Sequence, residues 1–417
     1  MHTQENSPSK EKTSHDYVIQ GVLTIAAWAY FVWLYCNKNT VSDVVFNISI
    51  AVLLLQAVWF MKCLLFPQSL NTEPLKGPYF KSPTGDEPLK KDEFPKYLKF
   101  DKVYDPPTTW VMAECCRLAY REKHAVAEIL TKIGFEDIFF FDTAGTQSFL
   151  ASHPGKESDG KPFAILAFRG TEKDYFDILT DGLIIKRKLK DEEFASHSGY
   201  LTALQRVWGT GLKIEGVEKT IDASTRHWYG SKGISNAIQK VQEKYPNTQL
   251  FITGHSLGGG IATLAAHKLA PKDSKSTAML YTFGSPRVAD VALANHLDGR
   301  ENNITSFRIV HRLDIAPHLP AYVPILFDYQ HVQKLVYHNF FKKNCCIDPA
   351  WSKGGFLTAI FGTLLTYFMV AIMCGEIVFW VLNKGLTFGS EGCRYEPWVF
   401  KDHRICDYVD LLKPEES

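Results

Sequence analysis

The stretch Leu250-Phe251-Ile252-Thr253-Gly254-His255-Ser256-Leu257-Gly258-Gly259-Gly260 runs directly into the alanine-rich residues 261–270. Residues 250–253 read as a buried strand and 261–270 as a helix, so a Gly-x-Ser-x-Gly turn stands between strand and helix. That order describes a nucleophile elbow, in which a sharp turn leaves a serine exposed above the edge of a sheet. A glycine-rich turn holding a serine can also be only a tight loop. The flanking strand and helix favour the elbow, and Ala262, Ala265 and Ala266 would let the helix pack closely against the sheet. In an elbow the backbone N–H of Leu257, directly after the serine, faces the oxygen of a carbonyl under attack.

Working outward, residues 234–244 have the spacing of an amphipathic helix, and 162–168 form a buried run of Phe, Ala, Ile and Leu. Further upstream, 138–142 and 147–152 read as strands and 110–133 as helical. Strands alternating with helices predict an α/β sheet.

The whole chain has 417 residues, with 46 Lys and Arg against 45 Asp and Glu, a net charge of +1. No concentrated basic excess marks a nucleic-acid binder. The charges are unevenly spread, however. Residues 17–36, 44–66 and 356–382 hold only Lys62 and Glu376 between them, and runs of this length without charge match a bilayer span. The first two, joined by seven residues, predict an N-terminal transmembrane hairpin after a polar tail, 1–16. Lys10 and Lys12 before the hairpin and Lys62, Lys76 and Lys81 after it place the larger domain on the cytoplasmic side of an integral membrane protein. Residues 67–107 carry eight of the 20 prolines and read as a Pro- and Lys-rich linker, with an ordered, proline-rich collar packed on the following domain as the alternative, leaving 108–417 as the main domain. Nine cysteines, several in apolar runs or adjacent pairs, suggest neither a disulfide framework nor zinc. No metal or cofactor motif is found.

Around the elbow, four more blocks appear in order: Ala167-Phe168-Arg169-Gly170-Thr171, His197-Ser198-Gly199-Tyr200, Phe283-Gly284-Ser285-Pro286-Arg287-Val288, and Asp314-Ile315-Ala316-Pro317-His318-Leu319-Pro320. Together with the elbow they resemble the class 3 lipases, the fungal-lipase-like branch of the α/β-hydrolases. The resemblance covers about residues 108–330 and the C-terminal tail.

That resemblance implies Ser256 as nucleophile and Asp314 as the carboxylate that orients the base. His403, within Asp402-His403-Arg404-Ile405-Cys406-Asp407-Tyr408, resembles the family's base, with His331 and His338 as rivals. A serine hydroxyl is a poor nucleophile at neutral pH, so both partners are required. The resemblance also supplies Thr171 as an oxyanion-hole donor beside Leu257, and an amphipathic lid at Tyr175, Phe176, Ile178 and Leu179. His255 is read as a packing and positioning residue and Arg169 as a structural ion-pair former.

The run 356–382 lies between Asp314 and His403, and a single crossing there would put acid and base on opposite sides of the membrane. A re-entrant insertion that dips and returns resolves the conflict. The alternative is a true third span with His331 or His338 as base. The expected function is a membrane-anchored serine ester hydrolase acting on acylglycerols or related membrane lipids without a cofactor. The competing reading is a catalytically inactive lipase-fold subunit of a membrane complex.

Overall fold

A computed structural model describes residues 78–82, 87–155, 160–170, 186–188, 194–209, 233–269, 277–298, 303–312, 314, 316–320, 329–332, 334–338, 345–347 and 403–414. Among these, no helix is long and apolar enough to cross a membrane. The expected hairpin (17–36, 44–66), the insertion 356–382, Thr171 and the lid residues Tyr175, Phe176, Ile178 and Leu179 lie outside the described residues.

The chain enters through helices α1 (Pro106–Leu118) and α2 (Lys123–Lys132), followed by strands β1 (Ile138–Thr143), β2 (Thr146–His153) and β3 (Phe163–Phe168). Two short strands, β4 (Lys186–Lys188) and β5 (Ala195–His197), precede helices α3 (Ser198–Trp208) and α4 (Ile234–Lys244). The centre comprises β6 (Gln249–His255), α5 (Leu257–Leu269), β7 (Ala278–Phe283), β8 (Ala289–Asp290), α6 (Val291–Asp298) and β9 (Ile304–His311). After it come β10 (Tyr329–Gln330), β11 (Lys334–His338), β12 (Cys346–Ile347) and α7 (Ile405–Leu412).

Eight strands form one mixed sheet in the order β1-β2-β3-β6-β7-β9-β11-β12. Strands β3, β6, β7, β9 and β11 are parallel, whereas β1, β2 and β12 join antiparallel at the edges. A smaller sheet has the order β10-β8-β5-β4.

Period-two alternation explains the layering, because both faces of the central strands are covered. On β3, Ala164, Leu166 and Phe168 join one core with Tyr200, Leu204, Ile238 and Ile261 from α3, α4 and α5. The intervening Phe163, Ile165 and Ala167 join the opposite core with Trp110, Leu130, Ile405 and Tyr408 from α1, α2 and α7. The α/β expectation therefore holds, with one helical layer on each face.

Three local expectations are corrected. The helix expected over 110–133 breaks at Ala119–Glu122, where Tyr120 and Arg121 close short turns on Arg117 and Leu118 and Glu122 is extended as the cap of α2. The helix after the elbow begins at Leu257, not 261, and absorbs the glycine run.

The third correction concerns the Pro-rich stretch, whose described part is not a free tether. Tyr79, Phe80, Leu89, Phe94 and Leu98 are buried in the second core. Arg117 donates to Pro78 O (2.8 Å), stands 4.0 Å from the Tyr79 ring centre and pairs with buried Glu114, while Phe80 N–H donates to Glu114 Oε1 (3.3 Å). The folded domain therefore starts before residue 108, with Asp105 capping α1 through Thr108 N–H at 3.0 Å.

Candidate active site

Ser256 stands between the last residue of β6 and the first of α5. Its φ of +57° is a left-handed conformation that a non-glycine residue adopts only where the surrounding structure enforces it. Two close constraints do so. Ser256 N–H donates to Phe283 O on β7 (2.9 Å), and its own carbonyl accepts from Gly259 N–H (2.9 Å) as α5 begins. The turn is tight enough that a Cβ on Gly254 would lie 2.1 Å from Gly258 O. The Leu257 N–H is at the start of α5, where the helix leaves amide donors unused by its own ladder.

Strand β3 ends beside this turn. A Cβ on Gly170 would meet Ser256 Cβ at 3.2 Å, so the block containing Thr171 arrives next to the nucleophile, with Thr171 itself beyond the described residues.

Asp314 and His403, separated by 89 positions, meet here. His403 Nδ1 lies 2.8 Å from Asp314 Oδ1 and 2.9 Å from Oδ2, and both side chains are fully buried. The carboxylate also accepts from Ala316 N–H (2.9 Å) and from the Tyr408 hydroxyl (2.6 Å). Burial alone would raise the pKa of Asp314. The His403 imidazole, the Tyr408 hydroxyl and the Ala316 amide outweigh it and hold the carboxyl below its ordinary value. An ionised Asp314 accepts from Nδ1–H, which sets His403 in the tautomer whose Nε2 can take a proton.

The acid–base pair is also tied to the nucleophile's strand neighbour. Gly284, immediately after β7, has φ +56°, and a Cβ there would lie 2.4 Å from Asp314 Oδ2 and 2.8 Å from His403 Nδ1. The Phe283 carbonyl that fixes Ser256 is one residue away.

The rival histidines have other surroundings. His331 is half-buried, donates from Nε2 to Pro317 O (2.6 Å), and is held well below the ordinary histidine range by desolvation and by Arg308 and Arg287. His338 sits on β11, with its pKa pushed down to about 4 by burial and His311. His318, within the aspartate block, is likewise pushed down to about 4, chiefly by burial and Arg287. Arg169 donates to the neutral amide of Gln147 and stands 5.4 Å from the Tyr120 ring centre.

Two contributors escaped the sequence reading. In the sequence Tyr408 only closes the block around His403, yet its hydroxyl binds Asp314 and accepts from His311 N–H at 3.1 Å. Gly284 is one glycine of its block in the sequence, and its need for a missing side chain appears once Asp314 and His403 are placed against it. Among the described residues, no group of three or more His, Cys, Asp or Glu side chains is arranged to hold a metal.

A serine on a left-handed turn between strand and helix of a mostly parallel sheet, with an aspartate just after β9 paired to a histidine from the C-terminal segment, defines an α/β-hydrolase. Within that class, residues 165–323 match the family model for lipase (class 3).

The secreted mono- and diacylglycerol lipase A of Penicillium cyclopium is 42% identical over 87 residues, covering 21% of this chain and 27% of that protein. A triacylglycerol lipase of Arabidopsis thaliana is 27% identical over 199 residues, covering 42% of this chain and 36% of that protein. The chain spans about a quarter of the length of the fungal relatives it matches. The crystal structure of a lipase from Rhizopus microsporus var. chinensis aligns with a TM-score of 0.41 and 18% identity, covering 58% of this chain and 75% of that one.

Proposed function

We propose that this chain is a membrane-anchored serine ester hydrolase that cleaves acylglycerols or related lipid esters. The observation that carries the reading is the buried Asp314–His403 pair set against Gly284, one residue from the carbonyl that fixes Ser256.

In this reading Ser256 Oγ attacks the ester carbonyl while His403 Nε2 accepts its proton, and Asp314 stabilises the imidazolium that forms. The negative charge on the carbonyl oxygen is met by Leu257 N–H and by Thr171. The imidazolium then protonates the departing alcohol, leaving an acyl-enzyme on Ser256. Water, deprotonated by the same histidine, releases the fatty acid and restores the serine. Tyr175, Phe176, Ile178 and Leu179 supply the apolar cover over this site. No step calls for a metal or cofactor.

Anchoring rests on the charge-poor runs 17–36 and 44–66, and the Lys distribution favours a cytoplasmic-facing domain. The pairing of His403 with Asp314 supports a re-entrant 356–382, since β12 before that run and His403 after it belong to one domain.

An alkyl fluorophosphonate tests the catalytic reading in the full-length protein. Expected is covalent labelling of Ser256 and hydrolysis within a panel of mono-, di- and triacylglycerols and phospholipids. A folded protein that neither labels nor hydrolyses would establish the competing inactive-subunit reading. Retention in the membrane pellet after alkaline carbonate is expected, and loss of that retention on deleting residues 17–66 checks the anchor.

A further inference from the structure

The base is fastened from a second side. Besides the Asp314 contact on its ring, the backbone carbonyl of His403 accepts a hydrogen bond from His255 Nε2 at 2.6 Å. His255 immediately precedes the nucleophile. Its other nitrogen, Nδ1, is 2.9 Å from the Tyr120 hydroxyl.

Donor chemistry assigns every proton in this chain of contacts. A carbonyl can only accept, so His255 carries its hydrogen on Nε2. Nδ1 is then the lone-pair nitrogen, and Tyr120 donates to it. The two histidine rings lie 4.7 Å apart between centres. A charge on His255 would therefore oppose the imidazolium that catalysis places on His403. Burial and the neighbouring His403, opposed by the bond to the His403 carbonyl and by Asp314, push the pKa of His255 down to about 3, which keeps the ring neutral.

Tyr120 occupies the turn between α1 and α2, and its hydroxyl would be 2.3 Å from a Cβ on Gly170, at the end of β3. The turn that interrupts the expected helix thus delivers a hydroxyl to the rear of the elbow.

We infer that Tyr120 and His255 are a positioning pair that registers the backbone of the base against the nucleophile's own neighbour. This inference rests on the hydrolase reading for its consequence, since the pair touches no substrate. Its physical need is plain: His403 comes at the end of a long excursion from the sheet and is not placed by strand pairing. A displacement of about 1 Å between reacting groups can cost on the order of 100-fold in rate.

The test uses full-length protein with a p-nitrophenyl ester and the fluorophosphonate probe. His255→Leu is expected to lower kcat about 10- to 100-fold with KM changed less than about twofold. His255→Gln, whose amide N–H can reach the same carbonyl, should recover most of the loss. Tyr120→Phe removes a single oxygen and should lower kcat about three- to tenfold. Wild-type turnover in folded His255→Leu, or equal loss in the Leu and Gln variants, would overturn the inference. If His255→Leu does not fold, unchanged kcat in Tyr120→Phe overturns it alone.

A second measurement is independent of activity. In histidine-labelled protein, the His255 ring resonances should stay those of the neutral Nε2–H tautomer from pH 8 to pH 5. Titration of His255 in that window rejects the pair. An inactive wild-type protein would count against the hydrolase reading, while these resonances would still decide the geometry.

Discussion

The two halves of the site are built in different ways. The nucleophile half is local: β6, Ser256 and α5 are consecutive, and the left-handed serine follows from contacts within a few residues and the adjacent β7. The acid–base half is assembled over distance. Asp314 follows β9, whereas His403 and Tyr408 come from a separate C-terminal segment, and His255 ties that segment back to the elbow. A local turn survives insertions elsewhere in the chain, whereas a distant base must be held on several sides. Asp314, Gly284 and His255 supply those contacts.

The largest expected effect strikes the local half. Ser256→Ala should abolish fluorophosphonate labelling and lower ester hydrolysis by at least about 1,000-fold while leaving the fold intact, as circular dichroism and a thermal melt would show. Residual turnover close to wild type would mean that another group attacks the ester.

Next in size, His403→Ala and Asp314→Asn should each cost on the order of 1,000-fold in kcat. The decisive comparison is between His403→Ala and His331→Ala: full activity in the first and loss in the second would break the assignment of the distant half.

Gly284→Ala probes the contact between the halves. Its methyl group would enter the space of Asp314 and His403 at a positive φ, so kcat is expected to fall about 10- to 100-fold and stability by about 2 kcal/mol. Chemical denaturation beside steady-state kinetics separates the two effects.

Tyr408→Phe should be milder. It removes one of the hydrogen bonds that keep Asp314 ionised and leaves His311 N–H without that acceptor, for about a three- to tenfold loss in kcat and roughly 1–3 kcal/mol of stability. An unchanged kcat would show that the His403 and Ala316 contacts suffice.

The last effect bears on stability as a function of pH and leaves the chemistry at pH 7 untouched. His255 is neutral in the folded protein with a pKa near 3, against about 6.5 when unfolded, so on acidification the unfolded chain takes up the proton first. Its contribution is complete above the unfolded value and falls as pH drops through the window between the two. At pH 5 it amounts to a loss of about 2 kcal/mol, and His153 and His338, each near 4, act in the same direction. Denaturation midpoints at pH 7 and pH 5 check the sign; greater stability at pH 5 would show that these rings are charged in the folded state.

What the sequence determined by itself was the local chemistry. Continuous apolar runs at 163–168 and 250–253, alternating with helical patterns, made an α/β sheet legible, and the elbow could be read because strand, turn and helix are contiguous, with glycines where only glycine leaves room. Asp314 could be read from its block, and His403 only by resemblance and against rivals, because many folds can put a solitary histidine beside an aspartate.

Tertiary structure decided between those histidines, since burial and hydrogen bonding are properties of position. His403 sits on Asp314 while His331 donates to a backbone carbonyl. It also decided the parts with no local signature: the break at Ala119–Glu122 that carries Tyr120 to His255, the Pro-rich stretch folded into the core, and the Tyr408 hydroxyl on the carboxylate. Each of these joins residues tens to hundreds of positions apart, and periodicity cannot encode such contacts because it records only which face of one element is apolar.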